Sequence, residues 1–130
     1  AIGQDSALES NETFSLTLSS PSAGNIETAS ASLTINDDDQ STWSIAANAS
    51  APIDEGAGSS SFTVTRSGAT NNSATVVVNA GGGSATGGMA NDYDNTQRTL
   101  TFAAGETAKV ISVSINNDLL LESVETFNAA

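Results

Sequence analysis

The sequence predicts an all-β protein, an antiparallel β-sandwich. Three observations carry this. Apolar and polar residues alternate with period 2 in short runs, turn formers separate the runs at regular intervals, and no segment keeps a 3.6-residue period. A strand points successive side chains to opposite faces, so alternate apolar residues mark a half-buried strand.

The elements follow in order. Phe14, Leu16 and Leu18 alternate in "TFSLTLS", then Leu33 and Ile35 in "SASLTIN". Trp43, Ile45 and Ala47 follow in "TWSIAA", and Phe62 and Val64 in "SFTVTRS". "TVVVN" at 75–79 precedes Leu100 and Phe102 in "RTLTF", and Ile111, Val113 and Ile115 share a face of "KVISVSIN". "SPSAG", "DEGAG", "SGATNN" and "GGGSATGG" are the turns and loops between them. The last of these lacks the G-x-x-x-x-G-K-[ST] pattern of a phosphate cradle and reads as a flexible loop.

Composition narrows the function. Fifteen Asp and Glu against three Lys and Arg give a net charge of −12. That balance opposes nucleic acid and anionic membrane surfaces, both of which want a basic footprint. The absence of Cys removes disulfides, thiolate zinc sites and thiol nucleophiles. The absence of His removes the usual general base, so the abundant Ser and Thr have no activating partner and the chain reads as a non-enzyme. No apolar run approaches the ~20 residues that span a bilayer. No signal peptide is visible, and the start at Ala1 fits a mature product or an excised fragment. Asn11, Asn48 and Asn71 head glycosylation sequons. Trp43 and Tyr93 read as packing residues rather than sugar platforms.

One phrase occurs twice. "QDSALESNETF" at 4–14 matches "NDLLLESVETF" at 117–127 without a gap, at a constant offset of 113 (118 − 5, 127 − 14). The chain is therefore one repeat plus about 17 residues of overlap (130 − 113). Residues 1–39 read as the last strands of one unit. Residues 40–130 read as a nearly complete second unit without its last strand or strands.

The carboxylates are not scattered. Thirteen of the 15 fall into five short clusters: Asp5/Glu9/Glu12, Asp37/Asp38/Asp39, Asp54/Glu55, Asp92/Asp94 and Asp118/Glu122/Glu125. Each stands where a strand meets a loop, while the outward strand positions carry Ser, Thr and Asn. Converging carboxylates repel, and a hard cation among them removes that penalty. Calcium takes 6–8 oxygen ligands in irregular geometry, whereas zinc wants His or Cys. The helix–loop–helix calcium loop fails here, because "DDDQSTWSIAAN" places Thr42 and Asn48 where Gly and Glu are needed.

These features together resemble the Calx-β domain family. The residues that carry the likeness are "SINNDLLLESVETF" and "QDSALESNETFSLTL" for the acidic pair and E-x-x-E-x-F, "ASLTINDDD" for the closing strand, "IDEGAG" for the first turn, and "NDYDNTQRTLTFAAGETAKVISVSI". The resemblance covers almost the whole chain. It implies an immunoglobulin-like sandwich with calcium bound at one end. It also implies ligand positions: Glu55, Asp92, Asn117, Asp118, Glu122 and Glu125 in the second unit, and Asp5, Glu9, Glu12, Asp37, Asp38 and Asp39 in the first. Asn117 and Gln4 stand where calcium-binding members often have Asp.

In the family's topology one site joins the first inter-strand loop, the E-x-x-E loop and the closing acidic run. Neither unit holds all three, and Asp37–Asp39 are expected a strand length or more from Glu55. The missing parts come from further sequence, or from residues 1–39 of one molecule completing residues 40–127 of another by strand addition, which head to tail yields a filament. The function expected is a calcium-stabilised structural or adhesive repeat of an extracellular or cell-surface protein. Its partners are calcium, adjacent repeats and other copies of the chain. A calcium sensor and a carbohydrate- or receptor-binding adhesin are the rivals.

Overall fold

The computed structural model describes residues 2–49, 52–88, 91–118 and 123–130. They form antiparallel sheets with no α-helix among them, in agreement with the predicted class. The first two strands, β1 (Glu12–Thr17) and β2 (Ser30–Ile35), pair only with each other. Their register runs from Glu12↔Ile35 to Thr17↔Ser30. Phe14 stands opposite Leu33, and Phe14, Leu16, Leu18 and Leu33 are all exposed. The apolar face of this hairpin has no cover among the described residues.

The remaining strands make the larger body. β3 (Ser41–Ala47), β4 (Ser59–Gly68) and β8 (Ala108–Ser114) form one sheet in the order β3-β4-β8. β5 (Ala74–Val78) pairs with β7 (Arg98–Phe102), and β6 (Ala80–Gly81) pairs with β9 (Asn128–Ala129). Asn79 and Ala130 exchange backbone bonds between β5 and β6, so the last residues run along the 79–81 segment. The composition of "GGGSATGG" predicts loop throughout, yet Gly81 belongs to β6 and Gly87 bridges Tyr93. Pairing with the chain end imposes this order, which local composition does not encode.

The core lies between the two layers. Val64, Val78, Phe102 and Ile111 are its buried centre, with Trp43, Ile45, Phe62, Val76 and Leu100 packed around them. Trp43 meets Phe102 edge to face, with ring centroids 5.0 Å apart. A second cluster joins Ala80, Tyr93 and Val113 to Phe62, Ala85 and Phe127. Trp43 and Tyr93 are thus packing residues, and Tyr93 stacks on Phe127 at 4.4 Å.

On β4 the inward positions are Ser60, Phe62, Val64 and Arg66, alternate residues on one face. Arg66 is 1% exposed and has no carboxylate partner among the described residues. Its guanidinium donates instead to the Asn72 carbonyl at 2.7 Å, the Ala69 carbonyl at 3.0 Å and the Ser41 hydroxyl at 3.1 Å. It also lies 5.6 Å from the Trp43 ring centre. A buried charge persists when its donors are satisfied, and Arg66 satisfies its own by gathering the β4–β5 loop.

Two surface ion pairs brace neighbouring turns. Arg98 meets Asp94 at 2.6 Å and Lys109 meets Glu106 at 2.7 Å. The bonds from Thr96, with Arg98 beside them, hold the Asp94 carboxyl below its ordinary range. The Lys109 and Ala103 bonds do the same for Glu106. A depressed carboxyl stabilises the fold above its unfolded pKa and loses that contribution as pH falls through the folded pKa. Denaturation midpoints are therefore expected to fall on acidification below about pH 5. The double variant Asp94→Asn/Glu106→Gln should show a shallower acid limb. An unchanged limb would show that these bonds carry no pH dependence.

Candidate metal-binding corners

The first corner is a consequence of the β1–β2 register. Extending Glu12↔Ile35 past the strand ends brings the residues before Glu12 beside those after Ile35. Asp5, Glu9, Glu12, Asp37, Asp38 and Asp39 all line one recess of about 80 Å³, with Gln4 and Asn36 beside them. The carboxylates are partly held by their surroundings. The Asp5 Oδ1 accepts from Ala7 N–H at 2.8 Å, and the Asp37 Oδ2 accepts from Glu9 N–H at 2.8 Å. The Gln4 amide donates to Asp38 at 3.0 Å, and the Asp37 N–H donates to Asn11 at 3.0 Å. These bonds stitch the two segments together.

Charge is concentrated there. Desolvation first, then the charges of Asp37, Asp38 and Asp5, push the Asp39 carboxyl above its ordinary range. No positively charged side chain lines the recess. Among the described residues no three carboxylates converge closely enough to hold an ion between them. The donor set is all oxygen and strongly anionic, which is the chemistry calcium takes and zinc does not. It fits calcium by donor type and charge, with the side chains set around the recess rather than closed on its centre.

The second corner lies at the other end of the β3–β4 ladder. That ladder runs from Ser41↔Gly68, next to Asp37–Asp39, to Ala47↔Phe62, next to the 3₁₀ turn Glu55–Ala57. Glu55, Asp92 and Glu125 line one cavity of about 600 Å³ with Asp54, and Phe62, Tyr93, Ile115 and Phe127 form its apolar side. Asn117 reaches to within 3.8 Å of where a Cβ on Gly56 would sit. Glu122 lies outside the described residues. Asp118 stays engaged with other groups of the protein.

Backbone bonds position this corner. The Asp92 Oδ2 accepts from Thr86 N–H, the Asn116 N–H donates to the Asp92 carbonyl at 2.9 Å, and the Asn116 amide donates to Asn91 and Gly88 carbonyls. Glu125 is carried by Thr126. The Thr126 N–H donates to Ser84 Oγ at 3.1 Å and its carbonyl accepts from Ala85 at 3.0 Å. Gly83 makes this approach possible: it has φ +83°, and an added Cβ would run into the Thr126 carbonyl.

Sequence reasoning reads the β4–β5 segment "SGATNN" only as a turn and passes over Arg66. The period-2 pattern of "SFTVTRS" already puts Arg66 on the face of Phe62 and Val64, and that was the available signal.

The family model described as the Calx-beta domain matches residues 1–39 and again residues 37–130. The comparison with curated proteins found no match.

Proposed function

Because the chain belongs to the Calx-beta domain family, whose members are generally calcium-binding β-sandwich modules, we propose that it is a calcium-stabilised structural repeat of an extracellular or cell-surface protein. The family is typically non-catalytic, and binding rather than turnover is the role read here. The observation that carries the reading is the first corner, where six carboxylates from two segments line one recess without a cation of the protein's own.

Asp5, Glu9, Glu12, Asp37, Asp38 and Asp39 would hold calcium in the first unit. Glu55, Asp92, Asn117, Asp118, Glu122 and Glu125 would supply ligands in the second. Bound calcium supplies positive charge that offsets carboxylate repulsion and so stiffens the junction between successive units. Extracellular modules of this kind work at Kd values of roughly 10⁻⁴–10⁻³ M, whereas a sensor needs micromolar affinity or tighter.

Calcium calorimetry and thermal melts of the whole chain test this. Heat of binding in the submillimolar to millimolar range and a melt that moves up with calcium are expected. Absence of both up to about 10 mM, well above the extracellular range, would overturn it.

A second reading has its own support. The β1–β2 hairpin leaves its apolar face uncovered, and β5 pairs on one edge only among the described residues. An open edge and an uncovered hairpin are complementary, so one molecule's hairpin could join another's β5 sheet, head to tail, as a filament. Light scattering of the same samples decides this: a monomer at all concentrations would exclude it.

A further inference from the structure

Among the described residues the first corner is hydrogen-bonded to the second unit at Leu8. The Leu8 N–H donates to Asn71 Oδ1 at 2.9 Å, and the Asn71 amide returns a bond to the Leu8 carbonyl at 3.1 Å. The Asn72 amide donates to the same carbonyl at 3.0 Å. Both polar groups of the Leu8 peptide are thus taken by side chains 63 and 64 residues away. Leu8 sits in the loop between Asp5 and Glu9, the loop that lines the acidic recess. Asn71 and Asn72 sit on the β4–β5 loop of the next unit.

That loop is held from beneath. Buried Arg66 donates to the carbonyls of Ala69 and Asn72, on either side of Asn71. The Ser41 hydroxyl also donates to the Ala69 carbonyl, and the Ala69 N–H donates to the Gln40 carbonyl, directly after the acidic run Asp37–Asp39. One loop is therefore tied both to the chain leaving the corner and to the loop inside it.

We propose that Asn71 and Asn72 form a docking latch that holds the preceding unit by the Leu8 peptide, with Arg66 as the residue that positions the latch loop. The latch bonds are neutral amide-to-backbone bonds. They involve no carboxylate of the recess, so the orientation of the β1–β2 hairpin against the β3–β4–β8 sheet is set without metal. Calcium then stiffens the corner, while the latch decides which way it faces.

Residual dipolar couplings of the intact chain test this. In the wild type, couplings from β1–β2 and from β3, β4 and β8 should fit one alignment tensor, in calcium and in chelator alike. In Asn71→Ala/Asn72→Ala the two sets should require separate tensors, while the amide shifts of β3, β4 and β8 stay at their wild-type values. Leu8→Pro removes the N–H from the other side of the latch and should loosen the hairpin in the same way. Retention of one tensor by the double variant would overturn the proposal, and so would separation of the wild-type tensors by chelation alone. A chain that binds no calcium but separates on Asn71→Ala/Asn72→Ala would uphold the latch and overturn the calcium reading.

Discussion

Asp39→Asn is expected to act in opposite directions with and without calcium. In chelator the variant should be more stable than wild type, because the Asp39 carboxyl is desolvated and faces Asp37, Asp38 and Asp5. The sign follows from its raised pKa. A carboxyl that takes its proton more readily when folded opposes folding above its folded pKa, and that penalty fades as pH falls through it. The midpoint gain of the variant should therefore be present at neutral pH and shrink on acidification toward pH ~4.

In calcium the order reverses. Losing one charged ligand should weaken affinity by at least the roughly 10–100-fold that loss of a supporting residue costs a metal site. At calcium a hundredfold above the wild-type Kd, binding stabilises the fold by about 2.7 kcal/mol, and a hundredfold weaker site gains only about 0.4 kcal/mol. Melts in chelator and in calcium read both effects. A variant less stable than wild type in chelator, or one that keeps the full calcium gain, would show that Asp39 plays no part in a metal corner.

Phe102→Ala should cost the most of any single core change. Phe102 is fully buried, and it reaches across from the β5–β7 layer to Val64 and Ile111 of the other layer. Trp43 packs on its edge, and the Lys109 ammonium lies 5.5 Å from its ring centre. Truncation removes the main tie between layers and leaves a cavity, an expected loss of about 3–5 kcal/mol. A domain of this kind commonly has only about 5–15 kcal/mol in total. Trp43 is the single tryptophan, so its fluorescence during urea unfolding reads the change at the site of substitution. A loss below about 1 kcal/mol would mean that the layers are held together elsewhere.

Much of this was legible because its cause is local. Period-2 alternation alone puts Val64, Phe102, Ile111 and Val113 on the apolar faces of their strands, since a strand with the wrong parity would expose all of them. The repeat at an offset of 113 marks Asp5–Glu12 and Asp118–Glu125 as corresponding acidic segments. That Asp5–Glu12 face Asp37–Asp39 also follows from sequence once the β1–β2 hairpin is accepted, because antiparallel pairing forces its two outer flanks together. What stayed hidden depends on distant parts of the chain. Arg66 has the parity of a core residue, but only the fold supplies the Ala69 and Asn72 carbonyls that satisfy its donors there. β6 exists only because residues 128–130 lie against 79–81.

The sequence by itself determined the sandwich class, most of the strands and the resemblance to the family, because side-chain periodicity and repeated motifs are written along the chain. Only the tertiary structure decided that Arg66 is buried beneath the β4–β5 loop, that residues 128–130 pair with 79–81, and that Leu8 rests on Asn71 and Asn72. Those outcomes depend on contacts between segments up to 64 residues apart. Loop closure is governed by entropy and by partners elsewhere in the fold, and no local pattern encodes it.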